Sequence, residues 1–394
     1  MVSEDNRKLL YATVPMYFVF IGVCAVYAHM KQKQLQATGV ADRLSSHYLG
    51  GRAIGPLLTT GTVFASYYSG YTVVGIPNEA YSNGWMALRW VVSGFGIITG
   101  YFGTGLRLRK AALVRNHKTP VDFITDRFQS QLLRYTVLFL QVVPSMIYIT
   151  AQVVALKNTF NTIFGLDADS IGPVILIMGI TLLFEWVGGL TSVALTDLVQ
   201  GCFMLVAYVS LPIIISMNFG GWRELDPTTY PRPDFYRTPS KEDQLNLWQF
   251  TIQTFTFFTL PHLMQRTYSA QDLVSLKCAY TALTCGAWFM LMVGTYIGTV
   301  GVQILGGADV ASPFTAVLEE VMDLGGFPKL MSLIAITGSL AAIMSTADSL
   351  LIAISQLVTE EIAYPLYPES TPEEMAWVGR FVSLAACIVA TILG

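Results

Sequence analysis

Apolar residues run along this chain in blocks of about 20, each long enough to cross roughly 30 Å of hydrocarbon. Read with Gly, Pro and charge as punctuation, the pattern predicts ten membrane spans. They lie near residues 9–30, 56–81, 86–106, 131–158, 170–187, 192–217, 246–267, 271–302, 327–363 and 376–394. Strand-like alternation is not what separates them, so the expected class is an all-α, polytopic membrane protein. The first block, within MVSEDNRKLLYATVPMYFVFIGVCAVYAHMKQKQ, is too long for a signal-peptide core and lacks a small-residue cleavage site; it reads as a retained span.

Two spans depart from plain helical patterning. ASYYSGYTVVGIP places Ser69-Gly70 in mid-span and Pro77 shortly afterwards; TFTFFTLPHL places Pro261 inside an apolar run. Five spans separate their starts. Interrupted helices at matching positions in two halves point to inverted repeats with a binding site at the breaks. Residues 56–217 then form a first repeat and 246–394 a second, joined by a Pro-rich loop at 218–245 and preceded by a leading span. A five-plus-five repeat behind a leading helix needs eleven spans, so the last core helix is expected to be missing after RFVSLAACIVATILG.

Charge settles the expected orientation. Lys31, Lys33, Arg43 and Arg52 follow the first span, and Arg107, Arg109, Lys110, Arg115, Lys118 and Arg127 follow the third. The loops after spans two, four and eight carry little basic charge, which predicts an external N-terminus and an external 218–245 loop. Composition agrees with a membrane class: 53% of residues are hydrophobic and 12% charged, against about 25% charged in soluble domains. No basic patch interleaves with aromatics, so nucleic-acid binding has no support. The five cysteines fall in apolar segments as small packing residues, and the four histidines lack metal-ligand spacing. Neither a P-loop nor a GxGxxG pattern is present, which removes support for direct use of ATP, and no nucleophile–base pair suggests an enzyme.

The chemistry concentrates in LAAIMSTADS, Leu340 to Ser349. On a helix Ser345, Asp348 and Ser349 share a face, with Thr346 offset by one position. An aspartate at mid-membrane costs roughly 2.5–3.5 kcal/mol and needs a cation, a proton or a basic partner; no Lys or Arg lies within two turns of it in sequence. Hydroxyl and carboxylate oxygens are hard donors suited to an alkali cation. The hydroxyls have a second reading, as back-bonds to their own helix. Asp197, in GGLTSVALTDLVQG, reads either as an interfacial residue hydrating a helix start or as a cation ligand and release gate.

Taken in order, YLGGRAIGP, KTPVDFITDRFQSQLLRY, GGLTSVALTDLVQG, PHLMQRTYSA and AAIMSTADSLL resemble the sodium:solute symporter family over essentially the whole chain. ASYYSGYTVVGIP is most similar to the proline permease branch, with likeness elsewhere to pantothenate permeases. The resemblance implies a LeuT-like five-plus-five fold and a secondary transporter of the plasma membrane that couples Na+ influx to uptake of a small organic solute. It implies a main Na+ site from the carbonyls of Ala65, Tyr68 and Ala342 and the hydroxyls of Ser345 and Thr346. A second cation position in some members matches Ser345, Asp348, Ser349 and Asp197; Asp348 departs from the serine usual there, and a second sodium or a shared proton would separate the two carboxylates. Solute-facing positions carry over to Tyr67, Tyr71 and Thr72 at the first break and to Gln253 and Phe257 at the second. The acid and amide that sugar-transporting members place at Tyr71 and Thr72 are absent, so an amino or carboxylic acid fits better than a sugar. No organic cofactor is implied. Proton coupling through Asp348 and Asp197, and a solute sensor with an appended domain, are the alternatives.

Overall fold

The computed structural model describes residues 4–37, 43–167, 169–236 and 238–394. The side chains of Lys31 and Arg43, used above for orientation, lie outside the described residues. The described chain is helical, in the order α1 (Glu4–Ala37), α2 (Arg43–Leu49), α3 (Pro56–Tyr67), α4 (Ile76–Asn83), α5 (Arg89–Ile97), α6 (Leu106–Arg115), α7 (Pro120–Phe128) and α8 (Gln131–Phe164). There follow α9 (Gly172–Phe219), α10 (Lys241–Thr254), α11 (Pro261–Ser269), α12 (Leu273–Ile304), α13 (Pro313–Asp323), α14 (Gly326–Val358), the single turn α15 (Tyr364–Leu366) and α16 (Pro372–Leu393).

Among the described residues, six helical stretches are long and apolar enough to cross a membrane. The expected second and seventh spans are absent from that set because each is two short helices. Span two stops at Tyr67, leaves helical geometry at Tyr68 (φ −86°, ψ 84°) and resumes from Tyr71 through a π-helical turn into α4. Span seven stops at Thr254 and restarts at Pro261, whose ring is tolerated at a first helical turn but not inside one. The third span differs from expectation: α5 and α6 are joined by a π-helical stretch, Ile98–Gly105, within the glycine-rich run GFGIITGYFGTG. The fifth and sixth spans are the two helical segments of α9, parted at Gly189, whose dihedrals (φ 50°, ψ −150°) are not helical. A Cβ there would also lie 2.5 Å from the His47 carbonyl oxygen, so only glycine fits both the dihedrals and the contact.

Burial sorts the helices into centre and rim. The apolar window of α14 is 89% buried, against 28% for α1 and α8, whose remaining faces carry large exposed apolar side chains such as Phe20 and Phe139. α14 packs against α8, α9, α13 and α16, and α3 against α9 and α12. The stretch quoted above therefore lies at the middle of the molecule, with the span-two break beside it. The described residues of the 218–245 loop are less extended than its proline content suggests. Two short 3₁₀ turns seat them on α12, where Trp222 Nε1 donates to Thr299 Oγ1 (2.8 Å) and the Tyr230 hydroxyl to the Thr299 carbonyl (2.6 Å).

Candidate functional site

The break in span two frees a carbonyl. In a continuous helix the Ser69 N–H would donate to Ala65 O; here it donates to Tyr67 O (3.1 Å) and leaves Ala65 O without its helical donor. In hydrocarbon such a group must find another partner. Ser345 supplies it: its hydroxyl lies 3.0 Å from Ala65 O and 3.1 Å from Ala342 O, while the Thr346 hydroxyl lies 3.1 Å from Ala342 O. Back-bonding to the helix and contact with span two thus occur together. The result is a buried group of hard oxygens, two carbonyl and two hydroxyl, drawn from α3 and α14, with Tyr68 at the point where α3 ends. The donor set fits an alkali cation, which binds carbonyl and hydroxyl oxygen without needing a thiolate or imidazole.

The close approach depends on Gly70, where a Cβ would lie 2.2 Å from Ile343 Cγ1 on α14. Tyrosines fix the surroundings of the break. Tyr208 donates to Val73 O (2.8 Å) and reaches Thr72 O (3.1 Å), and the Tyr68 hydroxyl donates to Leu283 O (2.7 Å).

One turn along α14 lies a second buried polar group. Asp197 Oδ2 accepts from the hydroxyls of Thr62 (2.6 Å) and Ser66 (3.3 Å) and pairs with the Arg266 guanidinium at 3.5 Å. Arg266 also donates to Ser349 Oγ (2.6 Å), Thr62 Oγ1 (3.2 Å), Gln265 Oε1 (3.0 Å) and the His262 carbonyl (3.1 Å). Asp197, Arg266, Thr62 and Ser349 are all 0% exposed. Asp197 is therefore not an interfacial cap, and its basic partner arrives from α11. Asp348, 3% exposed, accepts from the Ser349 hydroxyl at 3.4 Å and has no other side-chain partner among the described residues.

A cavity of about 680 Å³ opens beside the break, lined by Gly70, Tyr71, Gly75, Tyr148, Gln152 and Asn158 among others, with no charged side chain among the described residues of its wall. Gln152 Oε1 is buried there without a hydrogen-bond partner.

Comparison with known proteins gives a consistent result. The sequence profile of the sodium:solute symporter family matches residues 47–394. This chain belongs to that family. Sodium/proline symporters of Staphylococcus aureus strains JH9 and JH1 are each 29% identical over 401 aligned positions, covering 98% of this chain and 75% of the relative. A solved Na+-coupled sialic acid symporter, substrate-bound and outward-open, matches with a TM-score of 0.79 at 19% identity, over 97% of this chain and 79% of the other. The fold of the symporter is accordingly LeuT-like, and it is a multi-pass membrane protein that couples Na+ to uptake of a small solute.

Within the symporter, Ala65, Ala342, Ser345 and Thr346 converge on one point, and Tyr68 adjoins it. Asp197 and Ser349 meet through Arg266, whose guanidinium lies against both. The five solute-facing positions are spread more widely. The Tyr67 and Phe257 rings lie 6.5 Å apart, tilted by 58°, and join the two breaks. Tyr71 lines the cavity and donates its hydroxyl to Glu79 Oε2 at 2.6 Å. Thr72 is buried with its carbonyl held by Tyr208, and Gln253 is exposed on the last turn of α10. Sequence reading passed over Thr62, Ser66, Gln152 and the role of Arg266. Only Arg266 carried a signal, as a basic residue beside an apolar run within PHLMQRTYSA.

Proposed function

We propose that Na+ binds at the carbonyls of Ala65, Tyr68 and Ala342 and the hydroxyls of Ser345 and Thr346, and that this site drives uptake of an amino acid. The observation that carries the reading is the Ala65 carbonyl, released from its helix and met by Ser345 across the span-two break. A cation there bridges α3 to α14 and orders the break, which forms one wall of the adjacent cavity. Solute then binds more tightly, and reciprocity requires it to tighten Na+ by the same factor. Low internal Na+ empties the site.

The cavity wall supports a solute of no net charge, because it offers hydroxyl and amide groups but no ionic partner. The Gln152 carbonyl oxygen suits an amino or imino N–H, and the start of the helical segment at Tyr71 suits a carboxylate. A zwitterion satisfies both ends, and the relatives' name supplies proline as the first compound to try. Residues 56–217 and 246–394 are read as the two repeats, on the support of their paired breaks. The loop charges support an external N-terminus, and membership of the family supports residence in the plasma membrane.

The test is uptake into proteoliposomes under an inward Na+ gradient, with K+ and a pH gradient as comparisons, across a panel of labelled amino acids. Ser345→Ala and Thr346→Ala should each raise the Na+ concentration for half-maximal uptake at least tenfold. Unchanged Na+ dependence in both would remove the site assignment, and uptake driven by pH without Na+ would replace it with proton coupling.

A further inference from the structure

The oxygens that converge at Ala65, Ala342, Ser345 and Thr346 are carbonyl and hydroxyl, so the cage itself carries no negative charge. A monovalent cation that leaves water for a buried site surrounded by apolar helix needs an anion near it. Two carboxylates and one guanidinium lie within a turn of the cage. Arg266 is committed to Asp197, with its remaining N–H groups on Ser349, Thr62, Gln265 and the His262 carbonyl. Asp348 makes no ion pair within 4 Å among the described residues, and Ser349, its one hydrogen-bond partner, is closer to Arg266 (2.6 Å) and Ser66 (2.9 Å) than to Asp348 (3.4 Å). The other ionisable groups near enough to act on it are the Tyr17 phenol from α1 and Glu185 from α9, and neither is a cation. With its carboxylates and guanidinium ionised, the group formed by Asp197, Arg266 and Asp348 holds one negative charge in excess.

We propose that Asp348 is the counter-charge of the Na+ bound one helical turn away, so that the loaded site is neutral and the empty one is not. This rests on the Na+ site assigned above. Asp348 follows Ser345 by three positions, which sets their Cβ atoms about 5–6 Å apart on one face. The carboxylate acts through charge rather than as a member of the cage, while Arg266 cancels Asp197 and keeps the balance at a single excess anion. Binding of one Na+ cancels that anion. The loaded carrier then reorients without an uncompensated charge at mid-membrane, whereas the empty carrier is held back by one.

A unit charge at that distance, screened as in a partly hydrated interior, is worth on the order of 100-fold in cation affinity. The experiment is a Na+ titration of the purified full chain without solute, read as the rise in melting temperature at constant ionic strength with choline as the replacing ion. Asp348→Asn should bind Na+ about 100-fold more weakly, yet melt no lower than the parent in Na+-free buffer, since it removes an uncompensated buried charge. Asp348→Ser serves as a second variant should the amide pack poorly, with the same expectation. A Na+ midpoint within threefold of the parent in either well-folded variant overturns the proposal. Ser345→Ala separates the two levels of the argument. If it weakens Na+ while Asp348→Asn does not, the site stands and the counter-charge falls; if neither variant changes the midpoint, the site itself is misplaced.

Discussion

Replacing Arg266 with Gln should unbalance the buried group more than any other single change. The guanidinium is fully buried, lies 3.5 Å from Asp197 and makes four further hydrogen bonds. At that separation the attraction is about 5 kcal/mol with an effective dielectric of about 20. Much of it offsets desolvation of the two ions, but removing one partner leaves the other's desolvation unrecovered, which typically costs 3–5 kcal/mol. Arg266→Gln alone should therefore destabilise by about that amount. Asp197→Asn alone should also destabilise, because it leaves the guanidinium unpaired, whereas the double substitution leaves two neutral amides in place of the pair. The assay is a double-mutant cycle on reversible unfolding in mixed detergent micelles. A coupling of about 2–4 kcal/mol is expected, with the double variant more stable than the sum of the single losses predicts. Additivity within about 0.5 kcal/mol would show that the two groups do not interact and would refute the pairing.

Gly70→Ala should cost about 1–3 kcal/mol by overpacking, since its Cβ would lie 2.2 Å from Ile343 Cγ1. It should also weaken Na+ in the melting assay by moving Ala65 away from Ser345, with Ile343→Ala restoring part of the loss; no rescue would mean that the contact does not set the spacing. Gln152→Leu should raise the KM for solute at least tenfold while leaving Na+ binding in the absence of solute unchanged, and an equal loss of both would make Gln152 a packing residue. Ser345→Ala and Thr346→Ala, measured by uptake as above, complete the set.

What could be read from the chain before folding was whatever depends on near neighbours. Hydropathy, and the effects of Gly and Pro on a helix, are local properties, so the spans and both breaks were visible, as was the polar face of Ser345, Asp348 and Ser349. The same local view parted the fifth and sixth spans where Gly189 breaks α9, but it missed the π-helical stretch at Ile98–Gly105, which depends on how the backbone approaches neighbouring helices. Partnership was beyond it altogether. The cost of burying Asp197 could be stated from sequence, but that Arg266 meets it, and that Thr62, Ser66 and Ser349 complete the group, follows from bringing α3, α9, α11 and α14 together around one point. Electrostatic and hydrogen-bond energies fall off over a few ångströms of space and take no account of separation along the chain. The need for a partner was therefore written in the composition of one helix, and its identity was decided only by the packing of four.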